Sequence, residues 1–219
     1  MNSTKTGDNP HFKYFLAAAL VLVLGTILGT ALWIKFAPAP ELRGWQQRPL
    51  EGLDVYGTVP DFALTERSGK TISRADLRSS VWIADFIYTG CTDTCPLQSA
   101  EMARLQEELA GRSGVKLVSI SVDPATDSPP ILAEYAARYN ADRDRWLFLT
   151  GPRDRITELV QEGFRLSAAS VPAAGAEAGV ILHSPRFVLV DREARIRGYY
   201  DSREPEALRR LRRDLEKLL

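Results

Sequence analysis

The chain has 219 residues, 45% of them hydrophobic and 26% charged, which is the balance of a globular domain with appendages. Lys and Arg total 28 and Asp and Glu total 28, so no basic field exists to hold nucleic acid or to steer a charged partner over distance. Two cysteines are too few for a disulfide-scaffolded miniprotein.

Residues 1–14 form a short polar tail. Phe15 to Ile34 (FLAAALVLVLGTILGTALWI) is then free of charge for twenty residues, and Lys35 closes the stretch. As a helix it would rise about 30 Å, the thickness of a bilayer's hydrocarbon core. Phe12, Tyr14, Trp33 and Phe36 stand near its ends, as interfacial aromatics do. A transmembrane anchor over 15–35 is expected. Ala37-Pro38-Ala39 resembles a cleavage site, but the apolar stretch exceeds the usual core of a signal peptide and Pro40 would follow the cut. Lysines and arginines lie on both sides and leave the orientation open; the short N-terminus favours N-in. Residues 36–57, with Pro38, Pro40 and Pro49 and no sustained periodicity, read as a linker to a domain over 58–219.

Within that domain, Asp61–Thr65 and Lys70–Ile72 flank a Gly69 turn and predict a short hairpin, followed by a helix start at Ser73 with Asp76 three residues on. Val81–Tyr88 reads as a strand buried on both faces, with Asp85 in need of a partner. A helix is expected to open at Pro96, with Leu97, Met102, Leu105 and Leu109 on its inner stripe and Gly111 as its stop. Val115–Val122 is the next strand. Asp127 or Ser128 caps a helix entered through Pro129 and Pro130, with Ile131, Tyr135, Ala136 and Tyr139 inward. Trp146–Leu149 is a third strand, and 152–164 a further helix. Phe187–Val190 and Ile196–Tyr200 around Asp191–Ala194 form a hairpin, and Pro205 opens a closing amphipathic helix. Alternating strands and helices imply a parallel core with right-handed crossovers. Ending it in an antiparallel hairpin and a helix is the α/β, thioredoxin-like arrangement, which the element order alone does not single out but the cysteine pair at a strand-to-helix turn does.

Cys91 and Cys95 fall where the first long strand hands over to a helix. A thiol there faces unpaired N–H groups and the positive end of the helix dipole, which favour the thiolate. Spaced i,i+4, the two sulfurs can form a redox pair or share a soft metal ion; a structural disulfide would close too short a loop to stabilise much. Of the two histidines, His11 precedes the apolar stretch. His183 lies just before the strand at Phe187, in a loop that such a fold sets beside the cysteine turn. Two thiolates and an imidazole suit three-coordinate Cu(I), whereas zinc usually wants a fourth ligand. His183 as a proton shuttle for the thiols is the other option.

Three ordered blocks resemble the Sco/SenC family of copper chaperones: Phe86–Pro96 with its Cys-x-x-x-Cys-Pro, Val118–Pro124 followed by Asp127-Ser128-Pro129, and His183-Ser184 ahead of Phe187–Asp191 and Arg197–Asp201. The similarity runs from about Val59 to Leu219. It implies a thioredoxin-like domain in the periplasm, or in the intermembrane space of a mitochondrion, anchored by one helix. It implies copper, as Cu(I) or Cu(II), held by Cys91, Cys95 and His183. The implied partners are the copper-bearing subunit of cytochrome c oxidase, for its binuclear copper site, and a copper donor protein. Many members carry an acidic residue where this chain has Leu182. Asp123 matches the second block, either capping the turn before Pro124 or supporting the site. Pro185 stands at the spacing from Asp191 at which thiol-redox relatives carry a cis-proline, so a cis Ser184–Pro185 bond is expected.

Two readings stay open. One is a carrier that passes copper by ligand exchange. The other is a thiol–disulfide oxidoreductase that keeps oxidase-subunit cysteines reduced, with Cys91 attacking and Cys95 resolving. Peroxide reduction shares the fold but lacks its signature.

Overall fold

In the computed structural model the described residues are 10–36, 53–166 and 184–219. His183, the tail before Pro10 and most of the 36–57 stretch lie outside them. The chain divides into two units, Met1–Arg48 and Pro49–Leu219.

The first unit contains helix α1 (Pro10–Phe36). Taken over the described residues, no helix is long and apolar enough to cross a membrane; several α1 side chains, 31–36 among them, lie outside that set.

The second unit is built on one mixed sheet. Its strands are β1 (Gly57–Thr58), β2 (Ala63–Glu66), β3 (Thr71–Ser73), β4 (Val81–Ile87), β5 (Val115–Ser121), β6 (Trp146–Thr150), β7 (Arg186–Val190) and β8 (Arg195–Asp201), in the spatial order β1-β8-β7-β4-β5-β6-β2-β3. β4, β5 and β6 are parallel, and every other pairing is antiparallel. The long helices are α2 (Thr94–Glu108), α3 (Pro129–Arg138) and α5 (Pro205–Leu218); α4 (Arg153–Glu158) runs on into a single π turn, Leu159–Gly163. This is the thioredoxin-like α/β fold expected from the strand and helix order.

The central strand explains the layering. All seven residues of β4 are buried, so alternate side chains feed two cores. Trp82, Ala84 and Phe86 meet Val118, Ile120, Leu159 and Phe164 on one face. Val81, Ile83 and Ile87 meet Met102 and Leu105 of α2, Leu132 of α3 and Leu211 and Leu215 of α5 on the other, and both cysteines belong to this second core.

Four local expectations change. The helix after the cysteines begins at Thr94, two residues before Pro96, and its buried residues are Cys95, Gln98, Ser99, Glu101, Met102 and Leu105, while Leu97 is 67% exposed. Cys95 itself sets the phase, and three of the six are polar. In α3 the inward residue is Leu132, with Ile131 turned outward. Residues at the end of the expected linker join the sheet: the Tyr56 N–H donates to the Ile196 carbonyl at 2.9 Å, and Arg197 donates to the carbonyls of Leu53 and Asp54. Finally, there is no cis peptide bond among the described residues, so Ser184–Pro185 is trans. Trans is the lower-energy isomer for an X–Pro bond by about 0.5–1 kcal/mol. In this trans geometry both flanking carbonyls find donors: Gln98 Nε2 donates to the Ser184 oxygen, and Ser202 donates twice to the Pro185 oxygen.

Candidate metal centre

The turn that carries Cys91 is fixed from below. Asp127, fully buried, accepts hydrogen bonds from the Thr89 N–H at 3.1 Å, the Thr89 hydroxyl at 2.5 Å and the Ser121 hydroxyl at 2.6 Å. One carboxylate thus ties the residue two before Cys91 to the end of β5. Burial pushes its carboxyl up against those bonds. Asp123 makes no such contact; its side chain pairs with Arg153 at 3.5 Å and its backbone N–H donates to Ser121 Oγ at 3.1 Å.

Cys91 lies in the turn and Cys95 in the first turn of α2, with Cys91 8% exposed and Cys95 fully buried. Both are free thiols. Asp93, the residue at the helix cap, makes no side-chain cap bond. The Cys91 sulfur fills that place, accepting the Cys95 N–H at 3.4 Å. This contact splits the pair electrostatically. Burial alone would raise the Cys91 thiol, but the N–H groups of Cys95 and Asp93 and the side chains of Cys95 and Tyr88 donate to it and hold it below its ordinary value. Tyr88, through burial and the same contact, is pushed up to about 12. Cys95 is raised far above its ordinary value, first by burial and then by the nearby Cys91 sulfur and Asp85 carboxyl.

Asp85 lies in the same layer. It is fully buried and accepts the Ser119 hydroxyl at 2.6 Å on one oxygen, and Ser119 in turn accepts the Trp146 indole N–H at 2.9 Å. The other oxygen has no hydrogen-bond partner among the described residues. Burial moves the carboxyl up to about 7. The strand interruption noticed in the sequence is therefore a carboxyl held near neutrality beneath the dithiol.

Cys91 and Cys95 come together as expected. His183 lies outside the described residues, and among those residues no group of three His, Cys, Asp or Glu side chains is placed to hold a metal ion. Two reduced sulfurs one helical turn apart supply a soft pair of donors, chemically matched to Cu(I). Sequence reasoning missed Asp127 as the anchor of the turn, taking it for a helix cap, and missed Gln98. The spacing Thr89–Asp127 carries no local periodicity that could have shown it.

Fold and turn together define a thioredoxin-like dithiol protein with an asymmetric cysteine pair. The family model described as SCO1/SenC matches residues 53–219, and the chain belongs to that family. A SCO1 protein homolog of Bacillus subtilis is 36% identical over 148 residues, 67% of this chain and 75% of that protein. Among solved structures, BsSco, described as a member of the Sco family of cytochrome c oxidase assembly proteins with a disulfide switch, is similar with a TM-score of 0.63 and 31% identity, covering 78% of this chain and 96% of its own. Copper-bound ScoI of Bradyrhizobium japonicum is similar with a TM-score of 0.58 and 26% identity, covering 74% and 100%.

Proposed function

We propose that this chain is a membrane-anchored metallochaperone that carries Cu(I) on Cys91, Cys95 and His183 and delivers it for assembly of the binuclear copper site of cytochrome c oxidase. The observation that carries the reading is the pair of reduced sulfurs joined through the Cys95 N–H to Cys91 Sγ contact at the head of α2. Family membership and the copper-bound relative support it. Copper is cargo in this scheme, and Cu(I) supplies a soft acid that prefers thiolate and imidazole to water. Cys91, the more accessible sulfur and the one with the lowered thiol, makes and breaks its bond first. Cys95, whose thiol burial keeps protonated, gives up its proton only as metal binds, so loading releases protons and unloading takes them back. His183 completes three-coordination and leaves a face for the incoming ligand of the oxidase subunit or of the donor protein.

The anchor belongs to the same reading. Phe15–Ile34 is uncharged, and Phe15, Leu16, Leu20, Val21, Leu22, Val23, Leu24, Ile27 and Leu28 are exposed around α1 rather than along one stripe. Its threonine hydroxyls are satisfied inside the helix, Thr26 donating to the Val23 carbonyl at 2.8 Å and Thr30 to that of Thr26 at 2.9 Å. The working domain then faces the periplasm, or the intermembrane space in a eukaryote.

The asymmetry of the pair favours one second reading, thiol–disulfide exchange. The Cys91 thiolate would attack a client disulfide and release one client thiolate. Cys95 would then displace the second, leaving a Cys91–Cys95 disulfide and a client reduced by two electrons.

Competition titration separates the two. Full-length chain in detergent, fully reduced, is titrated with Cu(I) against a chelator, with and without His183→Ala. Tight one-to-one binding that falls at least tenfold in the variant is expected. Equal binding in both removes His183, and weak binding alongside rapid reduction of a disulfide substrate replaces the carrier by the reductase.

A further inference from the structure

The buried stripe of α2 carries a residue that packing does not explain. Gln98 follows Cys95 by three positions and so shares its face, and it is fully buried. Its Nε2 donates to the Ser184 carbonyl at 3.3 Å, and its Oε1, also buried, has no partner among the described residues. A half-satisfied amide inside an apolar layer is destabilising, a cost that a Leu or Met of similar volume would avoid. What the amide provides is a link between two pieces of chain 86 positions apart. On one side is the helix that presents Cys95. On the other is Ser184, the covalent neighbour of His183.

The link has a counterpart. The carbonyl of Pro185 accepts the Ser202 N–H at 2.8 Å and the Ser202 hydroxyl at 2.7 Å, so the segment is held from the end of β8 as well as from α2. Ser202 fixes this stretch to the end of the sheet, and among the described residues Gln98 alone ties it to the cysteine helix by a side-chain hydrogen bond.

We infer that Gln98 is a positioning residue for the copper site, setting the Ser184 backbone, and with it the reach of His183, against the helix that carries Cys95. The inference rests on the proposed role of His183 as a ligand. Gln98 touches no metal; it acts through the peptide bond between Ser184 and His183, so its effect exists only where the imidazole contributes to binding.

A double-mutant cycle reads that dependence. Gln98→Met keeps the volume and removes the amide. Cu(I) affinity is measured by chelator competition on four full-length proteins: wild type, Gln98→Met, His183→Ala and the double variant, each first shown to melt cooperatively and to titrate two thiols. The expected result is a loss of roughly five- to tenfold for Gln98→Met, the worth of one hydrogen bond, and no further loss when His183 is already Ala. An equal loss in both backgrounds makes Gln98 merely structural and overturns the inference, as does no loss in either. A second readout is independent of copper: amide hydrogen exchange at Ser184 and Arg186 in the metal-free protein should quicken in Gln98→Met, and unchanged exchange also overturns the inference. Wild type that holds no copper at all would instead sink the chaperone reading, leaving the exchange experiment to decide whether the tie exists.

Discussion

At the scale of single residues, the two sulfurs differ more than their spacing suggests. Cys91 accepts several hydrogen bonds at the lip of the fold, whereas Cys95 sits in the core beside the Asp85 carboxyl. Near neutral pH, Cys91 should therefore alkylate at least tenfold faster than Cys95, which peptide mapping after brief iodoacetamide treatment would show; equal labelling would contradict the asymmetry. Asp85 gives a second test. Its carboxyl is pushed up to about 7 by burial. Between the ordinary carboxylate value of about 4 and that point, the folded chain keeps a proton that the unfolded chain releases. Raising the pH across this window therefore destabilises the fold, by on the order of 4 kcal/mol in full, and above it the penalty stays constant. Asp85→Asn cannot ionise, so urea denaturation at about pH 5 and about pH 8 should show the wild type losing stability relative to the variant. Parallel behaviour of the two proteins would rule out this assignment.

At the scale of elements, the cysteine turn owes its shape to β5 and the loop after it. Asp127→Ala leaves the Thr89 N–H and two hydroxyls without their acceptor and should cost about 2–4 kcal/mol in urea unfolding, with Asp127→Asn costing less because one acceptor oxygen remains. Similar small losses for both would mean that the turn is held elsewhere. Much of this architecture was legible in the chain. Buried strand β4, the β2–β3 hairpin, the β7–β8 hairpin and closing helix α5 carry patterns of period two and 3.6 that survive folding. The inner face of α2 did not, because a hydrophobic stripe is sought in apolar residues and this face turns on Cys95, Gln98 and Ser99. Ser99 is satisfied only in three dimensions, by the Tyr135 hydroxyl at 2.9 Å. The pairing of β1 with β8 was likewise hidden. Two residues give no periodicity, and their partner stands almost 140 positions further on. The cis-proline expectation failed because spacing cannot report which neighbours hold the carbonyls of Ser184 and Pro185.

At the scale of the whole molecule, the proposed function joins a dithiol domain to an apolar helix that would hold it at a membrane. Full-length chain should resist alkaline carbonate extraction from membranes, and a chain lacking residues 1–36 should be released; extraction of the intact chain would remove the anchor from the account. The central claim is narrower, that three side chains from two distant segments hold one copper ion. X-ray absorption at the copper edge of the Cu(I)-loaded full-length chain tests it most directly. Two sulfur neighbours and one imidazole nitrogen, the nitrogen lost in His183→Ala, is the predicted result. A copper ion with sulfur ligands alone, unchanged by that substitution, would contradict it.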